Sequence, residues 1–164
     1  MPVRLRVVVL ACALALLGAC STPPQKKPLT STSDRTWEGR LSVTVQSDPP
    51  RLNSASFQLQ GSAQKGELAL FSPMGNTVAQ LQWNGTEAFL RQGQEAQRFA
   101  SMAELTEQVT GSALPVPALF DWLQGQASPV LGWQVDVSGI PQGRLSAQRT
   151  QPLPVVLLRI QLEP

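Results

Sequence analysis

Most of this chain beyond its first thirty-five residues alternates apolar and polar positions with a period of two, the signature of strands with one buried and one wet face. Trp37, Leu41, Val43 and Val45 share one parity, with Arg40, Ser42 and Thr44 on the other. The pattern returns in Ala55, Phe57 and Leu59, in Leu68 and Leu70, in Ala79, Leu81 and Trp83, and more weakly around Phe89. It appears again in Trp133, Val135 and Val137, in Leu145 and Ala147, and in Val156, Leu158, Ile160 and Leu162. Breaker clusters such as Asp48-Pro49-Pro50, Asn84-Gly85 and Gly139–Gly143 separate these runs. The expectation is an antiparallel sheet of seven or so strands.

Two stretches change period. Ser101 and Glu104 have capping-box spacing, Met102, Leu105 and Val109 make one stripe, and Gly111 suits a helix stop. A second helix starts near Pro115, carries Val116, Leu119, Phe120 and Leu123 on one face, and stops at Gly125. Seven or so strands about 4.8 Å apart make a sheet roughly 30 Å wide. Two short helices, each about 10 Å across, do not cover such a face. Either the sheet curls into a fully packed core, or an apolar hollow remains for a hydrophobic ligand.

The N-terminus belongs to a different grammar. Arg4 and Arg6 precede an apolar run from Val7 to Leu17, shorter than the roughly 20 residues that span a bilayer. The run ends in Leu17-Gly18-Ala19-Cys20, which resembles the bacterial lipobox. The resemblance implies a signal peptide over residues 1–19 and an N-acyl diacylglycerol group on Cys20; an ordinary secretory signal with a chance cysteine is the alternative. Residues 20–36, rich in Pro, Ser, Thr and Lys, read as a flexible tether, and residues 37–164 as one domain. Ser21 after the cysteine, where by resemblance an Asp would favour the inner membrane, points to the periplasmic face of the outer membrane.

Composition then narrows the function. The 13 basic residues include Arg4 and Arg6; without them 11 remain against 11 acids, so the mature chain is near neutral and no nucleic-acid partner is expected. Histidine is absent, and Cys20 is the sole cysteine left after cleavage. No metal or phosphate motif occurs, so neither a catalytic residue, a metal nor a cofactor beyond the attached lipid is expected.

Three segments in order resemble the LolB family of outer-membrane lipoprotein receptors. They are Trp37-Glu38-Gly39-Arg40-Leu41-Ser42-Val43, then Leu68-Ala69-Leu70-Phe71-Ser72-Pro73-Met74-Gly75-Asn76, and Thr110-Gly111-Ser112-Ala113-Leu114-Pro115-Val116 running into Leu119-Phe120-Asp121-Trp122-Leu123-Gln124-Gly125. The third is the most specific. The resemblance implies a mainly β fold with α: an antiparallel half-open barrel, like LolA and LolB, with short helices over its open apolar face. It implies a monomer that accepts lipoproteins from the periplasmic carrier LolA and inserts them into the inner leaflet of the outer membrane. The C-terminal third is short and lacks the family's closing aromatic, which suggests a smaller sheet and a narrower cavity.

On that reading Leu41, Val43, Phe57, Leu59, Leu68, Leu70, Leu81 and Trp83 of the sheet, with Leu119, Trp122 and Leu123 of the second helix, are candidates to shield cargo acyl chains; each is also a plausible plain core residue, Trp122 above all. Pro73, Met74 and Gly75 are the candidate membrane-insertion loop, with Met74 at its tip, unless that side chain folds back onto the sheet edge. Asp121 and Glu104 read as solvated carboxylates without charged partners. Two other functions stay open: a scaffold lipoprotein that binds outer-membrane complexes through its sheet edges, and a hydrolase of Ser-Lys type, disfavoured by the missing histidine.

Overall fold

A computed structural model describes residues 35–164; the expected signal peptide, Cys20 and the tether up to residue 34 lie outside the described residues. Six strands come first: β1 (Thr36–Val45), β2 (Arg51–Gly61), β3 (Gly66–Phe71), β4 (Thr77–Trp83), β5 (Ala88–Gln92) and β6 (Glu95–Phe99). Helices α1 (Met102–Thr110) and α2 (Val116–Trp122) follow. β7 (Trp133–Asp136), a 3-10 turn at Ile140–Gln142, β8 (Arg144–Arg149) and β9 (Val156–Leu162) complete the chain. All strands join one antiparallel sheet of order β6-β5-β4-β3-β2-β1-β9-β8-β7. β6 and β7 do not pair with each other, so the sheet is a half-open barrel, as the resemblance implied, built from the antiparallel strands that the alternation implied.

The sheet is larger than expected, with nine strands in place of seven or so. The extra width comes partly from β6, whose Glu95, Ala96, Gln97 and Arg98 are exposed and only Phe99 is buried. An edge strand is shielded from mispairing by charge rather than by an apolar face, so its sequence carries little alternation. β5 also differs in parity: Ala88 and Leu90 are buried, while Phe89 faces outward. β7 ends at Asp136, leaving Val137 outside it. The short C-terminal third does not shrink the sheet, because β9 pairs along β1 from Val45↔Val156 to Gly39↔Leu162 and carries β8 and β7 beyond it.

That β1–β9 seam explains a glycine. A Cβ on Gly39 would collide with the Gln161 carbonyl oxygen and crowd Leu162, so only hydrogen fits where the two backbones approach. Replacing Gly39 with Ala is expected to cost about 2–3 kcal/mol through displaced strands, read as a fall in urea midpoint with an unchanged slope.

The helices form as their caps dictate. Ser101 Oγ accepts the Glu104 N–H at 3.1 Å while a Glu104 carboxylate oxygen accepts the Ala100 N–H at 3.0 Å, so Glu104 is half of the cap and not merely a solvated carboxylate. Gly111, at φ 81°, ends α1 in the left-handed region. α2 is shorter than the stretch from Pro115 to Gly125, because the chain leaves the helix after Trp122. α1 packs on β5 and β6. α2 crosses the sheet further along, where Phe120 meets Trp37 and Trp83 edge-on at 5.6 and 6.0 Å between ring centres.

Candidate functional site

Nine strands about 4.8 Å apart give the concave face a breadth of roughly 38 Å, and the two helices leave part of it unfilled. Between them and β1–β5 and β9 lies a hollow of ≈ 430 Å³, within the size range of small-ligand sites. Its floor is Leu41 and Val43 of β1, Leu68 and Leu70 of β3, Ala79 and Leu81 of β4, and Leu158 and Ile160 of β9. Its roof is Val109, Leu114, Val116 and Leu119 from the helices and their link.

Six of the sequence's candidates therefore meet in one place: Leu41, Val43, Leu68, Leu70, Leu81 and Leu119. Phe57, Leu59, Trp83, Trp122 and Leu123 are buried but do not line it. Phe57 and Leu59 share the inward parity and pair beside Leu70 and Leu68, yet on β2 the lining stops at Ala55; Trp83 lies past Leu81 on β4, where it meets Phe120. Trp122 is fully enclosed (0% exposed), lies 6.2 Å from the Trp133 ring, and donates its indole N–H to the Ser128 carbonyl at 2.9 Å. It fastens α2 to the segment before β7 rather than facing a ligand. Asp121 is tied in as well, accepting the Ser128 hydroxyl at 2.6 Å.

The pattern-based reading omitted Leu158 and Ile160 from the hollow. Their alternation was legible, but their position under the helices depends on the long-range β1–β9 pairing. Val109, Leu114 and Val116 were likewise legible only as helix-stripe or link residues.

Among the described residues no ionisable side chain lines the hollow. The one buried hydroxyl in its wall, Thr106, is already engaged: it lies 2.9 Å from the Met102 carbonyl, 3.1 Å from that of Ala103, and accepts the Leu114 N–H at 2.9 Å. Polar groups with exposure, Asn53, Ser54 and Gln92, stand with Leu52 and Val78 where the hollow meets solvent. A ligand inside would find hydrocarbon and nothing to ionise against. Among the described residues no cluster of His, Cys, Asp and Glu is placed to hold a metal.

Charge lies elsewhere. Arg149, mostly buried, spreads over Trp133 with 6.0 Å to the ring centre, and its guanidinium nitrogens reach the Ala113 and Pro154 carbonyls at 3.5 Å. Asp136, at the end of β7, is held below the usual carboxylate range by hydrogen bonds from the Ser138 hydroxyl and backbone N–H.

The loop between β3 and β4 stands clear of the hollow's lining. Ser72 N–H donates to the Asn76 carbonyl at 2.9 Å and Gly75 N–H to the Ser72 carbonyl at 2.8 Å, closing a tight turn. Gly75 takes φ 81° with nothing near its missing side chain, so backbone freedom and not space selects glycine there. Met74 at the tip is 90% exposed and does not fold back onto the sheet edge.

A family model described as "Outer membrane lipoprotein LolB" matches residues 34–161. Among similar proteins, the outer-membrane lipoprotein LolB of Chromobacterium violaceum is 33% identical over 140 residues, covering 82% of this chain and 75% of that protein. That of Ralstonia nicotianae is 32% identical over 133 residues, 76% of this chain and 64% of its own. That of Bordetella petrii is 26% identical over 182 residues, 96% and 92%. The match therefore spans just under two thirds of the Ralstonia protein's length.

Proposed function

This chain belongs to the LolB family of outer-membrane lipoproteins, and we propose on that footing that it is a receptor for lipoprotein acyl chains. It takes cargo from a LolA-type periplasmic carrier and releases it into the inner leaflet of the outer membrane, to which lipid on Cys20 tethers it. The observation that carries this reading is the ≈ 430 Å³ hollow walled mainly by apolar side chains, with no ionisable group among the described residues that line it. The work is binding and release, with no covalent step.

The energetics support a closed handover. A chain of about sixteen carbons exposed to water costs on the order of 10 kcal/mol, so free diffusion of the lipid between proteins is too slow to serve. Passing it from one apolar cavity to another avoids that barrier, and each acceptor binding more tightly than its donor supplies direction. The hollow at rest is of small-ligand size, and movement of α1 and α2 away from the sheet would enlarge it for a triacylated cargo.

Met74 serves the release step. An exposed apolar tip of this size gains about 1.5–3 kcal/mol on burial, which entry into lipid supplies. Met74→Glu is expected to leave uptake of cargo from the carrier at the wild-type level and to lower delivery into vesicles at least tenfold. The two steps are separated by pulling down the loaded receptor before vesicles are added. Unchanged delivery would remove the loop from the mechanism.

A further inference from the structure

Five large apolar side chains stand exposed among the described residues: Leu52, Met74, Val78, Leu131 and Leu153. The topology gathers all of them at one end of the sheet, where β1, β3, β5 and β8 finish and β2, β4 and β9 begin. Met74 tips the β3–β4 turn; Val78 is the unpaired residue of a bulge at the start of β4. Leu52 opens β2. Beyond the β1–β9 seam, Leu153 lies in the β8–β9 connection and Leu131 just before β7. These last two segments touch, since a side chain on Gly132 would strike the Gln151 carbonyl. They stand 99% (Leu131) and 78% (Leu153) exposed. In sheet order the rim of the hollow runs from Leu52 on β2 to Val78 on β4 and Gln92 on β5, so the Met74 turn stands within it, and the Leu131–Leu153 pair stands beyond its β2 edge, across β1 and β9.

We propose that this end is a lipid-docking face, and that Leu131 and Leu153 form a second membrane contact opposite Met74. The proposal rests on the receptor reading above and extends it: the protein is set down on the bilayer at its opening and again beyond β1 and β9, so cargo leaves the hollow directly into lipid.

Lipid suits the surface for three reasons. The apolar side chains are separate knobs on different connections. A rigid protein partner would need a fitted pocket for each, whereas a fluid bilayer moulds itself around them. The connections at this end (residues 46–50, 72–76, 93–94, 111–115, 126–132 and 150–155) contain a single charge, Asp48. The turns at the opposite end carry Lys65 and Glu87, and β9 runs out into Glu163. The adjoining strand ends add Arg51, Arg91 and Glu95, all exposed, so it is the connections themselves that are cheap to desolvate, and without a cationic cluster docking does not depend on anionic headgroups. Finally, the anchor reaches. β1 begins at the far end and is ten residues long, about 34 Å. The 16 residues from Cys20 to Thr36 extend to at most about 55 Å, enough for the lipid and the docking face to share one membrane.

The test uses the full lipidated protein in vesicles of phosphatidylethanolamine and phosphatidylglycerol. Because Cys20 carries lipid, Leu153→Cys offers one free thiol for the fluorophore NBD; Gln64→Cys, in the turn at the opposite end, is the control. The label at position 153 should shift to the blue and be quenched by nitroxide-bearing lipid, while the label at 64 stays water-like. The shift should survive high salt and replacement of phosphatidylglycerol by phosphatidylcholine. In parallel, Leu131→Glu with Leu153→Glu should lower delivery into vesicles at least fivefold with uptake of an acyl probe unchanged. A water-like label at 153, or one shielded only when loaded carrier protein is added, overturns the docking face. Absence of acyl-probe uptake by the wild-type protein would instead overturn the receptor reading, whatever the label reports.

Discussion

Ala55→Trp is expected to weaken binding of an uncharged acyl probe at least tenfold without lowering Tm. Ala55 lines the hollow from β2, opposite Leu41 on β1 and one residue beyond the point where β3 stops pairing. An indole placed there excludes methylenes of the ligand, each worth about 0.8 kcal/mol. Two excluded methylenes already exceed the 1.4 kcal/mol that corresponds to a tenfold change in affinity. The stability arm separates a hollow from a packed core. Where space exists, the added ring finds apolar neighbours and the fold is kept or strengthened. Where none exists, forcing in a ring costs about 1–3 kcal/mol and Tm falls. Probe titration and thermal melts on the same sample decide between them.

The largest loss of stability is expected at Trp122. Truncating a fully buried Trp to Ala costs about 3–5 kcal/mol, and the Ser128 carbonyl loses the donor that now reaches it at 2.9 Å. For a domain of this size, Tm should fall by about 10–20 °C. Trp122→Phe keeps most of the buried surface and loses the hydrogen bond, at about 1 kcal/mol. If Trp122 instead faced cargo, the Phe variant would retain its Tm and lose affinity for the acyl probe. The geometry predicts the reverse: lower Tm, with affinity retained at temperatures where the protein is folded.

Those two residues show what a one-dimensional pattern reveals and where it stops. The inward parity of β1 to β4 and of β7 to β9 was readable because each of those strands buries one face. β6 was not, since an edge strand with Glu95 and Arg98 has nothing to alternate. The Arg98–Glu87 ion pair that steadies it joins residues eleven apart and leaves no periodic trace. The helix ends were readable to the residue at Ser101 and Gly111, because capping chemistry is local.

The hollow was half legible. Val43, Leu68 and Leu81 face it, while Phe57 and Leu59, of the same parity and paired beside Leu70 and Leu68, are buried outside its lining, and Trp83 packs on Phe120. Parity says which face a side chain takes; it does not say how far along that face the helices lie. The resemblance makes Trp122 a cavity candidate and a core residue alike, and the partner that decides for packing, Ser128, lies in a loop that no period describes. Leu131 and Leu153 were invisible as a pair, because only the β7–β8–β9 pairing brings them to the end that carries Met74.

The most direct measurement places a photoreactive diazirine in the acyl chain of a lipoprotein, delivers it from the carrier, and maps the adducts after illumination. The account predicts cross-links on peptides of β3 and β9 that contain Leu68, Leu70 and Leu158, lost when Ala55 is replaced by Trp. Adducts confined to the outer face of the sheet, or no more labelling than a cargo without lipid gives, would contradict it.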